Sequence, residues 1–242
     1  MSNPSNHSNA IPIEFYLTAA HDCPYLPDNQ AKTLFLSPQH MPTPQVYDSL
    51  IQQGFRRSGD HIYRPHCENC QACISVRLLA KELKPTKQQK RCINKAISFK
   101  TKISKAQFDL THYRLFEKYI NIRHADGDMF PTSQKQYREF ILSKWMDTHF
   151  LDIFNESDQL IACAVFDQLS DGLSAIYTFF DPDYSSFSLG RLAILKLAKI
   201  CQQQGLNHLY LGFWIKQCQK MSYKGNYRPL ECFINQKWLR LN

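Results

Sequence analysis

Three cysteines stand two residues apart in Cys67-x-x-Cys70-x-x-Cys73, and Cys23 precedes them by 44 positions. Thiolates at this spacing converge on one metal ion, because a tight turn brings successive sulfurs round a common point. Four sulfurs suit zinc or an iron–sulfur cluster. The same residues also serve as reduced, partly buried thiols that pack as small apolar groups. Beside them, Gly54-Phe55-Arg56-Arg57-Ser58-Gly59-Asp60-His61-Ile62-Tyr63-Arg64-Pro65-His66 crowds arginines and histidines together, and Arg77 follows the cluster. A guanidinium holds a carboxylate through two parallel hydrogen bonds. Arg56, Arg57 and Arg77 therefore suit an acidic group on a ligand, or Asp48 and Asp60 of the chain itself.

Two later stretches have chemistry of a different kind. Tyr177-Thr178-Phe179-Phe180-Asp181-Pro182-Asp183-Tyr184, followed by Ser188-Leu189-Gly190-Arg191, reads as a strand leading into a helix N-terminus. Free backbone amides there face a phosphate or a developing oxyanion. A GNAT acetyltransferase places its pyrophosphate loop at such a point, with the pattern R/Q-x-x-G-x-G/A. Phe187-Ser188-Leu189-Gly190-Arg191-Leu192 keeps one glycine and ends on Leu, which argues against acetyl-CoA. Further on, Leu209 to Lys216 and Lys220 to Glu231 are dense in aromatics and cations, among them Trp214, Lys220, Tyr223 and Lys224. Aromatic faces beside lysines stack an adenine and hold phosphates, as the 3′ end of a tRNA requires. A core strand followed by a basic loop is the other reading, and it fits Tyr210 and Phe213 better than Tyr223 and Lys224.

These residues need a scaffold, and the periodicity outlines one. Short strands are expected at Lys32–Leu36 and Ile74–Leu79, with a helix over Tyr47–Gln53 stopped by Gly54. Pro85-Thr86 starts a helix over Lys87–Lys95. Apolar residues at helical spacing mark Phe108–Ile122 and Ser133–His149. Alternating patterns mark strands at Phe150–Phe154, Leu160–Gln168 and Leu173–Phe180, separated by turns in the manner of a meander. An uninterrupted helix over Leu189–Gln204 ends at Gly205, and His208–Trp214 returns as a strand. Strands, a helix and a strand on one sheet make an α/β fold with a right-handed crossover. The expected division is a disordered tail (1–11), an N-terminal α+β part with the cysteines and the basic segment (12–104), and a C-terminal part with a mixed sheet flanked by helices (105–242).

The chain has 242 residues and a net charge of +8, but the charge is unevenly placed. From Arg77 to Lys105 there are ten basic residues and one acid, Glu82, so this segment carries +9 and the remainder −1. A local basic stripe on a neutral protein is an electrostatic footprint for a polyanion. A solvated lysine-rich face is the alternative. The sequence has no apolar run of membrane-spanning length and no signal-peptide pattern at its start, so a soluble cytoplasmic protein is expected. Nine cysteines without an export signal point to free thiols or metal ligands rather than disulfides.

Together these segments resemble one family. Cys23-Pro24-Tyr25-Leu26-Pro27, Phe55-Arg56-Arg57-Ser58-Gly59, Tyr63-Arg64-Pro65-His66-Cys67, Cys70-x-x-Cys73-Ile74-x-Val76-Arg77 and Arg123-His124-Ala125-Asp126-Gly127-Asp128-Met129 are similar to the arginyl-tRNA–protein transferase superfamily. Tyr177–Gly190 and Leu211–Glu231 extend the likeness, most of all to its bacterial aspartate/glutamate leucyltransferase branch. The resemblance implies a GNAT-like C-terminal fold that takes aminoacyl-tRNA in place of acetyl-CoA. It implies transfer of leucine from leucyl-tRNA to proteins with N-terminal Asp or Glu, creating an N-end rule degradation signal. On that footing Arg56, Arg57 and Arg77 are expected at the acceptor carboxylate. Lys87, Lys90, Arg91, Lys95, Gly190, Trp214, Lys220 and Lys224 are expected at the tRNA, and Tyr177, Asp181 and Tyr223 at the reacting groups. Transfer needs no cofactor, while Cys23, Cys67, Cys70 and Cys73 remain metal-ligand candidates. The alternatives are an arginyl-tRNA donor, an acetyl-CoA-dependent GNAT enzyme and a non-enzymatic RNA-binding module with a structural metal.

Overall fold

The structure, a computed structural model, describes residues 13–127 and 129–241. The tail expected at 1–11 lies outside the described residues. The strands are β1 (Phe15–Leu17), β2 (His21–Asp22), β3 (Gln30–Ala31), β4 (Thr33–Leu36), β5 (Arg56–Ser58), β6 (His61–Pro65), β7 (Ile74–Leu79), β8 (Lys100–Lys105), β9 (Thr148–Phe154), β10 (Leu160–Gln168), β11 (Gly172–Phe180), β12 (His208–Trp214), β13 (Leu230–Ile234) and β14 (Lys237–Leu241). The helices are α1 (Pro44–Ile51), α2 (Lys87–Lys95), α3 (Leu110–Arg123), α4 (Gln134–Ile141), α5 (Leu189–Gln203) and α6 (Gln219–Ser222).

Local chemistry starts and stops the helices. Thr43 caps α1, Pro44 takes the first position, and Gly54 at φ +83° turns the chain out. Thr86 and Gln89 form a capping box on α2, and Ser133 and Gln136 do the same on α4. One expected helix is too long, because α4 stops at Ile141 rather than running to His149. Asp60 accepts hydrogen bonds from the Ser143 hydroxyl and the Lys144 amide, and its carbonyl accepts one from the Trp145 indole. The segment therefore leaves the helix to pack Trp145 on Tyr47.

The large sheet has the order β14-β13-β7-β12-β11-β10-β9-β8, so it draws strands from both sides of residue 104. β8 to β11 run antiparallel, and α5 carries the chain to β12, which lies parallel to β11. β10 is buried on both faces and its side chains alternate between two cores. Ala164 and Phe166 join α5 on one face. Cys163 and Val165 join α3 and α4 on the other. A smaller sheet, β1-β4-β6-β5, packs with α1 in a third cluster that includes Tyr210 of β12.

The ladder between β11 and β12 lasts only three pairs, Gly172–His208 to Ser174–Tyr210. Both strands shift register where they part: β11 at Ile176 against β10, and β12 at Leu211 against β7. Bulges re-aim strands beside functional sites. Here they part the C-terminal halves of β11 and β12 into a cleft, and the Ala175 and Phe213 carbonyls on its two sides accept hydrogen bonds from side chains.

Candidate active site

Arg56 and Arg57 are consecutive in β5, so their side chains leave on opposite faces. Arg57 is buried against Asp167 of β10, with Nε and Nη2 each 2.5 Å from a carboxylate oxygen. Thr148 and the Gly59 carbonyl accept its other bonds. Burial opposes its charge, but Asp167 more than offsets this and raises its pKa. Arg77 likewise holds Glu231 at 2.6 Å and Gln52 at 2.7 Å, and lies over Trp238. Both arginines are thus engaged within the fold, unlike Arg56.

Arg56 has the opposite surroundings. It is 8% exposed, and its Nη2 donates to the Ala175 carbonyl at 2.5 Å, at the point where β11 leaves β12. Its Nη1 is buried with no partner. The guanidinium spans the cleft to Gly212, where an added Cβ would meet its central carbon at 2.8 Å and where φ is +79°. Only glycine allows both that backbone and that approach.

Lys224, also 8% exposed, is the second cation of the cleft. Its Nζ donates to the Phe213 carbonyl at 2.7 Å. Burial, then the Arg56 charge, pushes its ammonium down to about 7. Tyr223 precedes it and is 42% exposed. Trp214 donates to the Ser222 carbonyl at 3.1 Å and packs so closely on Gly225 that a Cβ there would lie 2.9 Å from the ring. Tyr177 stands in an aromatic wall with Phe116, Tyr119 and Phe140. Burial raises its phenol, which stays protonated at neutral pH and is no base.

Asp181 is also engaged. It accepts from the Asp183 amide and pairs with Lys118 at 2.6 Å, so it caps the turn before α5. Gly190 lies in the first turn of α5, with only Phe180 near its Cβ position. Lys220 is exposed and pairs with Asp126 of the Arg123–Met129 segment. Lys87, Lys90, Arg91 and Lys95 are all exposed on α2. That helix leads to the cleft, because Gln89 donates to the Asn226 carbonyl and Lys95 to the Ser186 carbonyl before α5.

Cys23, Cys67, Cys70 and Cys73 are free and partly buried. Burial, and then the thiols of Cys23, Cys67, Cys70 and Cys218, push Cys73 up to about 12. The sulfurs therefore gather with Cys218 as a fifth member, one the spacing does not reveal. Among the described residues, the group of three His, Cys and carboxylate ligand atoms that all lie within 4.8 Å of one another belongs to His112, Asp152 and Cys163. There His112 is already held, with Nδ1 to Asp109 at 3.2 Å and Nε2 to Asp152 at 2.9 Å. A histidine bridging two carboxylates accounts for that group without an ion.

Tyr119 and His124 lie at the aromatic wall of Tyr177 and were not among the residues expected at the site, whereas Lys224 was, for its charge rather than for its lowered pKa. His124 packs edge-on to Tyr119, whose ring lies 6.3 Å from Tyr177. The Arg123–Met129 segment, noted only as part of a resemblance, was the available signal for His124.

The large mixed sheet holds Arg56 and Lys224 where β11 and β12 part, with the exposed cations of α2 nearby, and sequence comparison names the class of the protein. The model "Arginine-tRNA-protein transferase, N terminus" matches residues 21–91, and "Arginine-tRNA-protein transferase, C terminus" matches residues 111–234. The chain belongs to the arginine-tRNA–protein transferase family. Its near relatives are more particular. An aspartate/glutamate leucyltransferase of Alcanivorax borkumensis is 47% identical over 226 residues, 93% of each chain. One of Pseudomonas fluorescens is 46% identical over 230 residues, 95% of this chain and 97% of that one. Among solved structures, L-PGS from Bacillus licheniformis overlays 60% of this chain and 48% of that one, with a TM-score of 0.47 at 9% identity. FemX overlays 82% and 79%, with a TM-score of 0.43 at 7% identity. Overlays this distant say nothing of activity.

Proposed function

We propose that this chain moves leucine from leucyl-tRNA onto the N-terminus of proteins that begin with Asp or Glu, making an N-end rule degradation signal. The observation that carries the reading is Arg56, a buried guanidinium in the cleft with no carboxylate among the described residues to neutralise it. Burying an unpaired charge costs several kcal/mol, so such a group is retained where a ligand supplies the anion. An N-terminal Asp or Glu brings a carboxylate to within one residue of the amine that reacts. The relatives named above supply the donor and the acceptor, and their identity and coverage support carrying both over.

The reaction is an aminolysis of an activated ester. The acceptor's neutral α-amine attacks the leucyl carbonyl, and the tRNA's terminal ribose oxygen leaves. Positioning supplies much of the acceleration. The exposed cations of α2 take phosphates of the acceptor arm, and Trp214, Tyr223 and Lys220 line its way into the cleft. The amides at Gly190 lie beside the same path. No step passes through the sulfur cluster, and transfer written this way uses no cofactor. Use of charged tRNA fits work in the cytoplasm, and no helix of the described residues is long and apolar enough to cross a membrane.

The test mixes purified protein with labelled leucyl-tRNA or arginyl-tRNA and peptides that begin with Asp, Glu or Ala. Label passing from leucyl-tRNA to the Asp and Glu peptides alone is the expected result. Transfer from arginyl-tRNA instead overturns the donor, and transfer to the Ala peptide overturns the role of Arg56.

A further inference from the structure

The amine that attacks must shed a proton, and the group that takes it is not among the residues the sequence singles out for reaction. Burial raises the phenols of Tyr177 and Tyr223, which stay protonated at neutral pH, and Asp181 is bound to Lys118 and to its own turn. Lys224 is free of both faults. Its Nζ touches the Phe213 carbonyl at 2.7 Å and the Met221 sulfur at 3.6 Å. Phe213 belongs to the part of β12 that has left β11, so the amine sits at the open end of the cleft, one residue along β12 from the Gly212 that faces Arg56. The ionisable groups that act on it are Arg56 of β5, Cys218 before α6 and Cys73 before β7, with the ring of Tyr223 6.0 Å away. No carboxylate is among them. Buried beside a fixed cation, the ammonium is held down to about 7, so neutral amine is abundant at neutral pH.

We infer that Lys224 Nζ accepts the proton released as the acceptor amine attacks the aminoacyl ester, and returns it to the departing ribose oxygen. The assignment rests on the aminoacyl-transfer reading above. The acceptor enters as a neutral amine. A C–N bond forms to the carbonyl carbon and the C–O bond to the ribose breaks. One proton moves from the attacking nitrogen to Nζ and then to the ribose oxygen, and Lys224 ends neutral as it began. A base whose affinity for protons matches the working pH suits both transfers. This is a different role from the phosphate contact that an aromatic and basic loop suggests, and the two separate in experiment.

Single-turnover transfer from leucyl-tRNA to an Asp peptide is followed from pH 5.5 to 9 for the wild type, Lys224→Met and Lys224→Ala. Filter binding reads leucyl-tRNA affinity, and circular dichroism checks that each variant is folded. The wild-type rate should fall below a pH of about 7. Lys224→Met should lose about a hundredfold or more in rate while its tRNA affinity changes by less than about threefold. Small primary amines should restore Lys224→Ala, with a pH limb that follows the pKa of the amine added. A rate for Lys224→Met within about threefold of wild type overturns the assignment. So does a loss of tRNA affinity that matches the loss of rate, which would make Lys224 a phosphate ligand, or a folded Lys224→Ala that no amine restores. A wild type that transfers nothing overturns the transfer reading itself.

Discussion

Arg56 and Arg57 share a strand, a side chain and near-complete burial, yet one is matched by the protein and the other is not. Arg57 meets Asp167 with two hydrogen bonds and spends its remaining donors on Thr148 and Gly59. Arg56 has one carbonyl, an empty Nη1 and a second cation, Lys224, for a neighbour. The same division runs through the rest of the molecule. Arg77 with Glu231, Lys118 with Asp181 and His112 with Asp152 are matched, and they tie elements together. The cleft between β11 and β12 holds the mismatched pair. A fold gains nothing from a buried guanidinium without an anion beside a lysine whose charge it suppresses, and the binding of an anionic ligand would relieve that mismatch.

That comparison can be broken most directly at Arg57. Arg57→Ala strands Asp167 as an uncompensated buried charge, and unfolding in urea should show a loss of about 3–5 kcal/mol. A loss below about 1 kcal/mol would mean that the pair is not structural. Arg56→Met should do the reverse. Its unfolding midpoint should hold or rise, while transfer to an Asp peptide falls by about 10²–10³, the usual cost of losing one preorganised donor in a site. A variant that unfolds as Arg57→Ala does would erase the distinction.

Lys224→Met sharpens it through stability. The folded state holds this lysine near 7, below its ordinary 10.5, so folding expels a proton. The wild type carries the full penalty below the folded value, and the penalty fades as pH climbs towards the unfolded one. Thermal melts should therefore show the variant more stable by on the order of 2 kcal/mol at pH 6, with the gap closing by about pH 10. A gap that is flat with pH would deny the buried charge. His112 has the opposite sign. Burial disfavours its charge, but Asp152 and Asp109 outweigh burial and raise its pKa. Its contribution is complete below the unfolded value of about 6.5 and is lost as pH rises through the raised folded one. His112→Gln should cost about 1–2 kcal/mol at pH 5.5 and less at pH 9, read from urea midpoints. The smallest effect belongs to the exposed stripe. Charge reversal of Lys90 and Arg91 should leave Tm alone and flatten the salt dependence of tRNA binding by about one power of salt for each phosphate no longer neutralised. An unchanged slope would remove α2 from the tRNA path.

Much of this was legible in the chain because its causes are local. The capping box at Thr86 and Gln89, the alternation of β10 and the glycine after α5 depend on residues a few positions apart, and the expected α2, β7, β10 and β12 match closely. The overlong α4 shows the limit, since Asp60 ends that segment from more than 80 residues away. The strands of the small sheet and the β13–β14 hairpin are short, and their partners were not apparent.

The sequence by itself showed the basic stripe and the cysteine spacing, because these are written in residue types and intervals, and its motifs carried the resemblance to a family. Only the tertiary structure decided which arginine is free. Arg56 and Arg57 are adjacent and alike, and Asp167 lies 110 residues from the one it neutralises. Only the parting of β11 from β12 turned a lysine of a basic loop into a buried amine beside a cation. Charge and proton affinity depend on what surrounds a group in space, and those surroundings are assembled here by strands that the sequence keeps far apart.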